Sequence, residues 1–183
     1  MTAVDNLWYL SDEADQQAER AYHHFQSAHE DVTEFNKTRW VSRRRFQTIA
    51  QRVSENGLPY GAHAVVTDER SAILLVRHRD VDMWVLPGGE VDGGEPFEVA
   101  ARRELKEEAG IDATFHGLAL LGRVEFHSDG HSTWGVLPIY EARPASTSLT
   151  VEDPDDEIVE ARWFETLPED ARDRSVLQSW LDG

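Results

Sequence analysis

The first third of the chain carries apolar residues at the spacing of amphipathic helices. Over residues 12–32 they recur at alternating four- and three-residue steps, and Asp, Glu and Gln fill most positions between them. The apolar positions of this stripe are Ala14, Ala18, Ala21, Phe25, Ala28 and Val32. A second helix is predicted to begin after Ser42 as its N-cap and to end at Gly57. Its buried stripe would be Phe46, Ile49, Ala50 and Val53. The pattern therefore predicts a helical extension over residues 1–58.

From Tyr60 the apolar pattern changes from a helical period to that of strands. Two apolar runs, 61–66 and 72–76, flank a short polar segment and are predicted to form a hairpin. A short strand at 84–87 enters a glycine-rich turn, and a helix follows Pro96 and ends at Gly110. Further strands are predicted at about 118–127, 132–142 and 158–164, and a closing helix at 167–181. This order predicts a mixed α/β sandwich over residues 59–183.

The helix after the glycine-rich turn presents three glutamates on one face. Glu104, Glu107 and Glu108 lie at positions i, i+3 and i+4. Like charges at this spacing destabilise a helix by roughly 0.2–0.5 kcal/mol per pair, unless a cation lies between them. The cluster offers oxygen ligands without Cys or His, which favours Mg2+ or Mn2+ over zinc. The sequence therefore predicts a divalent metal site on this helix.

The charge balance is strongly acidic, with 18 basic and 35 acidic residues and a net charge of −17. Lysine occurs at positions 37 and 106, and the other basic residues are arginines. Such a surface repels nucleic-acid backbones and anionic membranes, so neither is expected as a partner. Acid-rich, lysine-poor composition is typical of proteins from halophiles, in which salt screens the self-repulsion. An ordinary acidic cytosolic protein is the alternative interpretation.

Three further features bear on location. The chain has no run of eighteen apolar residues, so no transmembrane helix is expected. Residues Met1 to Asp5 lack a basic region followed by an apolar stretch, which predicts that there is no signal peptide. The chain has no Cys, which excludes disulfides and thiolate chemistry. Cytoplasm is the expected location.

The glycine-rich turn and the acidic helix together resemble the signature of the Nudix hydrolases. That signature reads G-x5-E-x7-R-E-U-x-E-E-x-G-U, with U an aliphatic residue, and every defined position is filled here. The matching residues are Gly89, Glu95, Arg103, Glu104, Leu105, Glu107, Glu108, Gly110 and Ile111. The resemblance covers about residues 60–165. It implies the α/β/α sandwich of that family and metal-dependent hydrolysis of a nucleoside diphosphate linked to another group.

The resemblance also implies roles for individual residues. The implied metal ligands are Gly88, through its backbone carbonyl, and Glu104, Glu107 and Glu108. Glu95 and Arg103 are expected to brace the loop against the helix, and contact with a substrate phosphate is the alternative for Arg103. Two carboxylates, Glu104 and Glu157, are candidates for the general base. The predicted catalytic residues are thus Glu104, Glu107, Arg103 and Glu157.

Several alternatives stay open at the level of sequence. The signature does not identify the leaving group, so ADP-ribose, other nucleotide sugars, nucleoside triphosphates and dinucleoside polyphosphates all remain candidate substrates. A regulatory module that binds nucleotides without hydrolysis is the alternative function; such modules tend to lose signature glutamates, and this chain keeps them. An isomerase acting on an isopentenyl-type diphosphate would need Cys or His chemistry, and the lack of Cys counts against it. The N-terminal extension would either cap the site or form a homodimer interface.

Overall fold

The computed structural model describes residues 5–183. The first four residues, on which the prediction about a signal peptide largely rests, lie outside the described residues. The elements in chain order are α1 (Asp5–Ala28), β1 (Thr33–Trp40), α2 (Arg43–Asn56), β2 (Ala62–Val66), β3 (Ile73–His78), β4 (Met83–Val85), β5 (Gly88–Gly89), α3 (Phe97–Ala109), β6 (Ala113–Ser128), β7 (His131–Pro144), β8 (Ile158–Phe164) and α4 (Arg174–Asp182). Within this described part, no helix is both long enough and apolar enough to cross a membrane.

The chain divides into two compact units, and the long strands β6 and β7 contribute to both. The first unit extends to Gly61 and includes Leu118–Ile139, and the second comprises Ala62–Gly117 and Tyr140–Gly183. Within the first unit, β1 lies beside β6 and β6 beside β7; within the second, β7 is followed by β2 and β5. Because β1 pairs parallel to β6 and β2 pairs antiparallel to β5, the sheet is mixed. The predicted α/β class with a mixed sheet is confirmed, whereas the domain division between residues 58 and 59 stays a prediction.

In the first unit, two helices pack through the apolar stripes that the sequence predicted. Ala14, Ala18, Ala21 and Phe25 are buried on α1, and Phe46, Ile49, Ala50 and Val53 are buried on α2. Ser42 caps α2 by accepting a hydrogen bond from the backbone N–H of Arg45, as predicted. Gly57 ends the helix with a φ of 88°, and a Cβ added there would lie 2.5 Å from the Cβ of Ala21. Glycine at this position therefore permits the close approach of the two helices.

The segment after α1 differs from the prediction. The helix ends at Ala28 rather than Val32, and Asp31 has a φ of 61°, which is incompatible with a continuing helix. Residues 33–40 then form β1, a strand that the sequence analysis missed, in register with β6 from Thr33 opposite Leu120 to Trp40 opposite His127. Its side chains alternate between half-buried and exposed, which is the period of a strand with one covered face. The N-terminal extension is therefore not purely helical.

The hairpin predicted after Tyr60 is present only at its turn, where Thr67 and Ile73 form one antiparallel bridge and the N–H of Asp68 donates to the carbonyl of Ala72; beyond the turn the two strands diverge. β2 joins the sheet with β7 and β5, whereas β3 lies between β4 and β8 in a separate three-stranded sheet. The chain changes sheets at Asp68, whose carboxylate accepts hydrogen bonds from the backbone N–H groups of Arg70 and Ala72. An apolar run on each side of a polar turn is the pattern of a hairpin and equally of a corner between two sheets, so periodicity could not separate the two.

The core of the second unit lies between α3 and these strands. Its buried members include Ala64, Val66, Leu74, Leu105, Ala109, Ile111 and Ala142. Gly110 ends α3 with a φ of 72°, as predicted, and β8 has the predicted bounds. The closing helix begins only at Arg174, because the preceding backbone instead pairs with Trp84: Arg172 donates to its carbonyl and Asp170 accepts from its N–H. The buried face of α3 also includes Glu104 and Glu108, which leads to the site.

Candidate active site

A glycine corner brings the backbone of β5 against α3. Gly88 pairs with His63 and has a φ of 154°, and a Cβ there would lie 2.6 Å from the Cα of His63. A side chain at this position would therefore be both strained and obstructed. The backbone N–H of Gly88 donates a hydrogen bond of 2.9 Å to Oε2 of Glu108. The corner thus holds the Glu108 carboxylate beside Gly88, whose carbonyl is one of the predicted metal ligands.

The next glycine makes room for a second carboxylate. A Cβ added at Gly89 would lie 2.7 Å from Cδ of Glu104 and 2.9 Å from each of its two carboxylate oxygens. The lack of a side chain at this position is what lets the Glu104 carboxylate lie against β5. Gly88 therefore positions Glu108 through a hydrogen bond, and Gly89 leaves the space that Glu104 occupies.

Burial changes the electrostatics of these carboxylates. Glu104 is 7% exposed and Glu108 is 5% exposed. Burial raises the pKa of Glu104 to about 7, although the neighbouring Arg103 opposes the shift. Burial also raises the pKa of Glu108 well above its usual range, opposed by the N–H of Gly88. Both carboxylates would therefore ionise more readily with additional positive charge nearby.

Arg103 occupies the centre of the acidic cluster. Its Nε lies 3.0 Å from Oε1 of Glu95, and its Nη2 donates to the carbonyl of Glu90 at 2.9 Å. Its Nη1 lies 2.8 Å from Glu104 and 3.4 Å from Glu107. The hydrogen bond from Arg103 lowers the pKa of Glu95. The ion pair expected between Glu95 and Arg103 is present, and the guanidinium contacts both the loop and the helix; its bracing role stays a prediction.

The loop that carries Glu157 runs along the end of α3. The backbone N–H groups of Thr150 and Glu152 donate to the carbonyls of Ala109 and Glu107, each at 2.9 Å. The Asp153 carboxylate then accepts hydrogen bonds from the N–H groups of residues 155, 157 and 158 and closes a compact turn. Charges on Asp153 and Glu157 contribute to the raised pKa of Glu108. Glu157 therefore lies on the side of α3 that carries the signature glutamates.

The predicted ligands fit a hard divalent cation. Their donor atoms are all oxygens: the carboxylates of Glu104, Glu107 and Glu108 and the carbonyl of Gly88. Two of the carboxylates are buried with raised pKa values, so binding a cation would be coupled to release of protons. The space at Gly89 that a Cβ would fill holds the Glu104 carboxylate in this arrangement. The assignment of these residues as ligands stays a prediction.

The signature residues and the fold agree with a known family. The NUDIX domain model matches residues 57–177, which is more than half of the chain. The chain belongs to the Nudix family. Among solved structures, a Nudix-family hydrolase from Clostridium perfringens shares the fold at a TM-score of 0.50 and 19% identity, over 66% of this chain and 94% of that one.

Two curated Nudix relatives match the region around the signature. A Bacillus subtilis (strain 168) protein, provisionally named 8-oxo-dGTP diphosphatase, is 42% identical over 78 residues, covering 42% of this chain and 52% of that protein. An RNA pyrophosphohydrolase from Caulobacter vibrioides is 44% identical over 70 residues, covering 37% of this chain and 36% of that protein. The chain thus spans about half or less of the length of these relatives.

The structure adds two features that sequence reasoning did not find. His78 approaches Glu157, with its Nε2 3.5 Å from Oε2, although 79 positions separate the two residues. Asp153 builds the turn before Glu157, and its signal was present as an acidic residue followed by Pro in a loop. The pairing of β3 with β8 is what brings His78 to this loop, and no spacing in the sequence indicates it.

Proposed function

We propose that this Nudix protein is a metal-dependent hydrolase that cleaves the pyrophosphate of a nucleoside diphosphate linked to another group. The observation that carries the proposal is the pair of buried carboxylates, Glu104 and Glu108, each held against a glycine of the corner. Glutamates are seldom fully buried unless they are paired, and Arg103, which contacts Glu104, is shared with Glu95 and Glu107. An anionic site of this kind recognises a pyrophosphate only with a bridging cation, because the chain itself carries a net charge of −17.

The residues would divide the work as follows. Glu104, Glu107, Glu108 and the Gly88 carbonyl would hold Mg2+ or Mn2+. When bound there, the cation supplies Lewis acidity toward phosphate oxygens and lowers the pKa of water. Arg103 keeps the 90–95 loop and the helix in register through Glu95. The site therefore supplies charge stabilisation and orientation, which are the main requirements of phosphoryl-transfer chemistry.

Glu157 is the better candidate for the general base. The Glu104 carboxylate is buried and contacts Nη1 of Arg103 at 2.8 Å, so it is committed to the cluster. The side chain of Glu157 is 50% exposed and its backbone is fixed by Asp153. An accessible carboxylate on a fixed backbone suits abstraction of a proton from an attacking water.

The family and its relatives support the proposed substrate class. The relatives named above carry names that refer to 8-oxo-dGTP and to RNA pyrophosphate. Both names concern a nucleotide bearing a phosphate anhydride, which agrees with the pyrophosphate chemistry proposed here. The moiety beyond the anhydride is left to experiment, with ADP-ribose, nucleotide sugars and nucleoside triphosphates as the candidates.

A substrate panel tests the proposal. Purified protein is incubated with ADP-ribose, a UDP-sugar, 8-oxo-dGTP and a dinucleoside polyphosphate, with Mg2+ or Mn2+, at low and molar salt, and product release is measured. We expect metal-dependent turnover of at least one substrate. Glu107→Gln should lower kcat by about 10³-fold and weaken Mg2+ binding in calorimetry, because it removes a ligand of the cation.

Glu98→Gln is the matched control for this experiment. Glu98 lies on the same helix but pairs with Arg102 at 3.7 Å and is 44% exposed in its side chain. Its substitution should leave kcat within about twofold, since its ion-pair partner is Arg102, which is not part of the signature. The proposal fails if no substrate is hydrolysed while wild type and Glu107→Gln bind Mg2+ equally; nucleotide binding under those conditions would favour the regulatory alternative.

A further inference from the structure

The end of β3 contains an irregularity that directs a histidine toward the Glu157 loop. β3 pairs antiparallel with β8 in regular register from Ile73 to Arg77, which lies opposite Glu160. At the next residue the register shifts, so His78 lies opposite Ile158. Such bulges redirect a side chain and are frequent beside active sites. The bulge here places His78 next to the residue that precedes Ile158.

The hydrogen bonds of His78 fix which of its nitrogens faces Glu157. The backbone N–H of Asp80 donates to Nδ1 of His78 at 3.2 Å. A nitrogen that accepts this bond carries its lone pair there, so the proton of the neutral imidazole is on Nε2. Nε2 lies 3.5 Å from Oε2 of Glu157. His78 therefore presents a donor to the carboxylate proposed as the general base.

The backbone around Glu157 is already fixed, whereas its carboxylate is not. Arg79 donates its N–H to the carbonyl of Glu157 at 2.7 Å, and its guanidinium pairs with both carboxylate oxygens of Asp156 at 3.2 Å. Asp153 accepts from the N–H of Glu157 at 2.7 Å. A half-exposed glutamate side chain keeps considerable rotamer freedom even on such a backbone. An additional donor at the carboxylate restricts that freedom.

We propose that His78 is a positioning residue that orients the carboxylate of Glu157 for proton abstraction. This inference rests on the proposed function. The distance of 3.5 Å is longer than a hydrogen bond, and contacts of catalytic groups are often long before substrate binds and tighten in the complex. His78, Asp80 and Glu157 also offer ligand atoms within 4.8 Å of one another. A cation there is disfavoured because the N–H of Asp80 takes the lone pair of Nδ1 and the proton on Nε2 blocks the other nitrogen.

Steady-state kinetics of His78 variants test the inference. His78→Ala should lower kcat by roughly tenfold and leave KM within about twofold, because the base is present but less well oriented. His78→Gln retains an N–H donor and should recover most of the loss. In a Glu157→Gln background, His78→Ala should have no further effect on kcat, since the two residues act through one carboxylate. Thermal unfolding of each variant verifies that it is folded.

His23→Ala is the control, because His23 makes the same kind of pair with Glu19, at 2.9 Å, on α1. It should leave kcat unchanged. The inference is overturned if His78→Ala stays within twofold of wild type, or if it lowers kcat equally with and without Glu157. Nitrogen-15 NMR of the wild type supplies a readout independent of turnover: a proton on Nε2 of His78 is expected, and a proton on Nδ1 contradicts the pairing. If the wild type hydrolyses no substrate, the proposed function is contradicted. If the wild type is active and His78→Ala does not change kcat, only the inference about His78 is contradicted.

Discussion

Two carboxylates, Asp15 in the first unit and Glu104 in the second, are shielded from water, in part and almost completely respectively, and are stabilised in different ways. Asp15 on α1 accepts hydrogen bonds from Oγ1 of Thr133 at 2.7 Å and from the N–H of Trp134 at 3.3 Å. Glu104 on α3 contacts Arg103 at 2.8 Å. Burial raises the pKa of both, and neighbouring acids add to each shift. Burial raises both pKa values, but the groups that compensate for it differ: neutral hydrogen-bond donors at Asp15 and an arginine at Glu104.

Under the proposed function, this difference separates a structural acid, Asp15, from a metal-binding one, Glu104. The donors of Asp15 are neutral and belong to the β6–β7 hairpin, so Asp15 fastens α1 to that hairpin without any added ligand. Glu104 shares one arginine with Glu95 and Glu107, which leaves the cluster with net negative charge. A buried charge that lacks a full set of partners is costly, and the proposed cation would reduce that cost. Experiments that act on one carboxylate and spare the other therefore test the distinction.

Among changes that act on one of these two carboxylates, the largest effect is expected from filling the space at Gly89. In Gly89→Ala the new Cβ would meet the Glu104 carboxylate, whose Cδ lies 2.7 Å from that position, and push it out of place. We expect kcat to fall by about 10–100-fold, the cost typical of displacing a metal ligand or its support. Gly93→Ala in the same loop is the matched control, because a Cβ there meets nothing within 4 Å. Equal activity of both variants would show that the position of Glu104 does not matter.

An intermediate effect is expected from cations on thermal stability. Mg2+ at ten times its Kd should raise Tm by about 3–6 °C, since ligand binding to the folded state stabilises it by roughly 1.4 kcal/mol. Glu107→Gln should lose this gain, whereas Asp15→Asn should keep it. KCl of matched ionic strength separates specific binding from screening. A Tm shift of equal size in wild type and Glu107→Gln would contradict a site on α3.

The same scan in molar KCl tests the halophilic interpretation. Screening acts on the whole surface of a chain with a net charge of −17, so Tm should rise in wild type and in Glu107→Gln alike. Full stability and activity without added salt would contradict adaptation to high salt.

The smallest effect is expected from Asp15. Because its folded-state pKa is raised above the ordinary value of 3.8, its contribution to the free energy of unfolding is fully present below that pH and is lost as pH rises through the folded-state pKa. Asp15→Asn keeps an acceptor for Thr133 without the charge. Its Tm should exceed that of wild type at pH 7 and match it at pH 3. Asp15→Ala removes the acceptor as well and should be less stable at both pH values; a pH-independent gain for Asp15→Asn would refute the assignment.

Local signals of the sequence predicted the parts of the fold that depend on neighbours along the chain. The caps Ser42, Gly57 and Gly110 and the helix faces between them were predictable because capping and amphipathic period act within a few residues. β1 and the separation of β2 from β3 were not predictable, because both depend on pairing with distant strands.

The contacts of the candidate site also differ in whether they depend on nearby residues or on the pairing of distant strands. The contact of Arg103 with Glu95 was expected from the resemblance to the Nudix signature, and the two residues are joined by one loop and the first turns of α3. The approach of His78 to Glu157 depends on a bulge between strands that are far apart in sequence, and a bulge leaves no reliable trace in residue type. The sequence could therefore name the acids of the candidate site and Arg103, but not His78.

Two backbone amides join the 150–152 segment to the last turn of α3, and their hydrogen exchange depends on that contact. The N–H groups of Thr150 and Glu152 are bonded to carbonyls of that turn, so they exchange with solvent only when the segment separates from the helix end. Their protection factors therefore report how tightly the Glu157 loop is coupled to α3, at two positions that carry no chemistry of their own. Opening of the Glu157 loop would therefore increase deuterium uptake at these two amides before α3 itself unfolds.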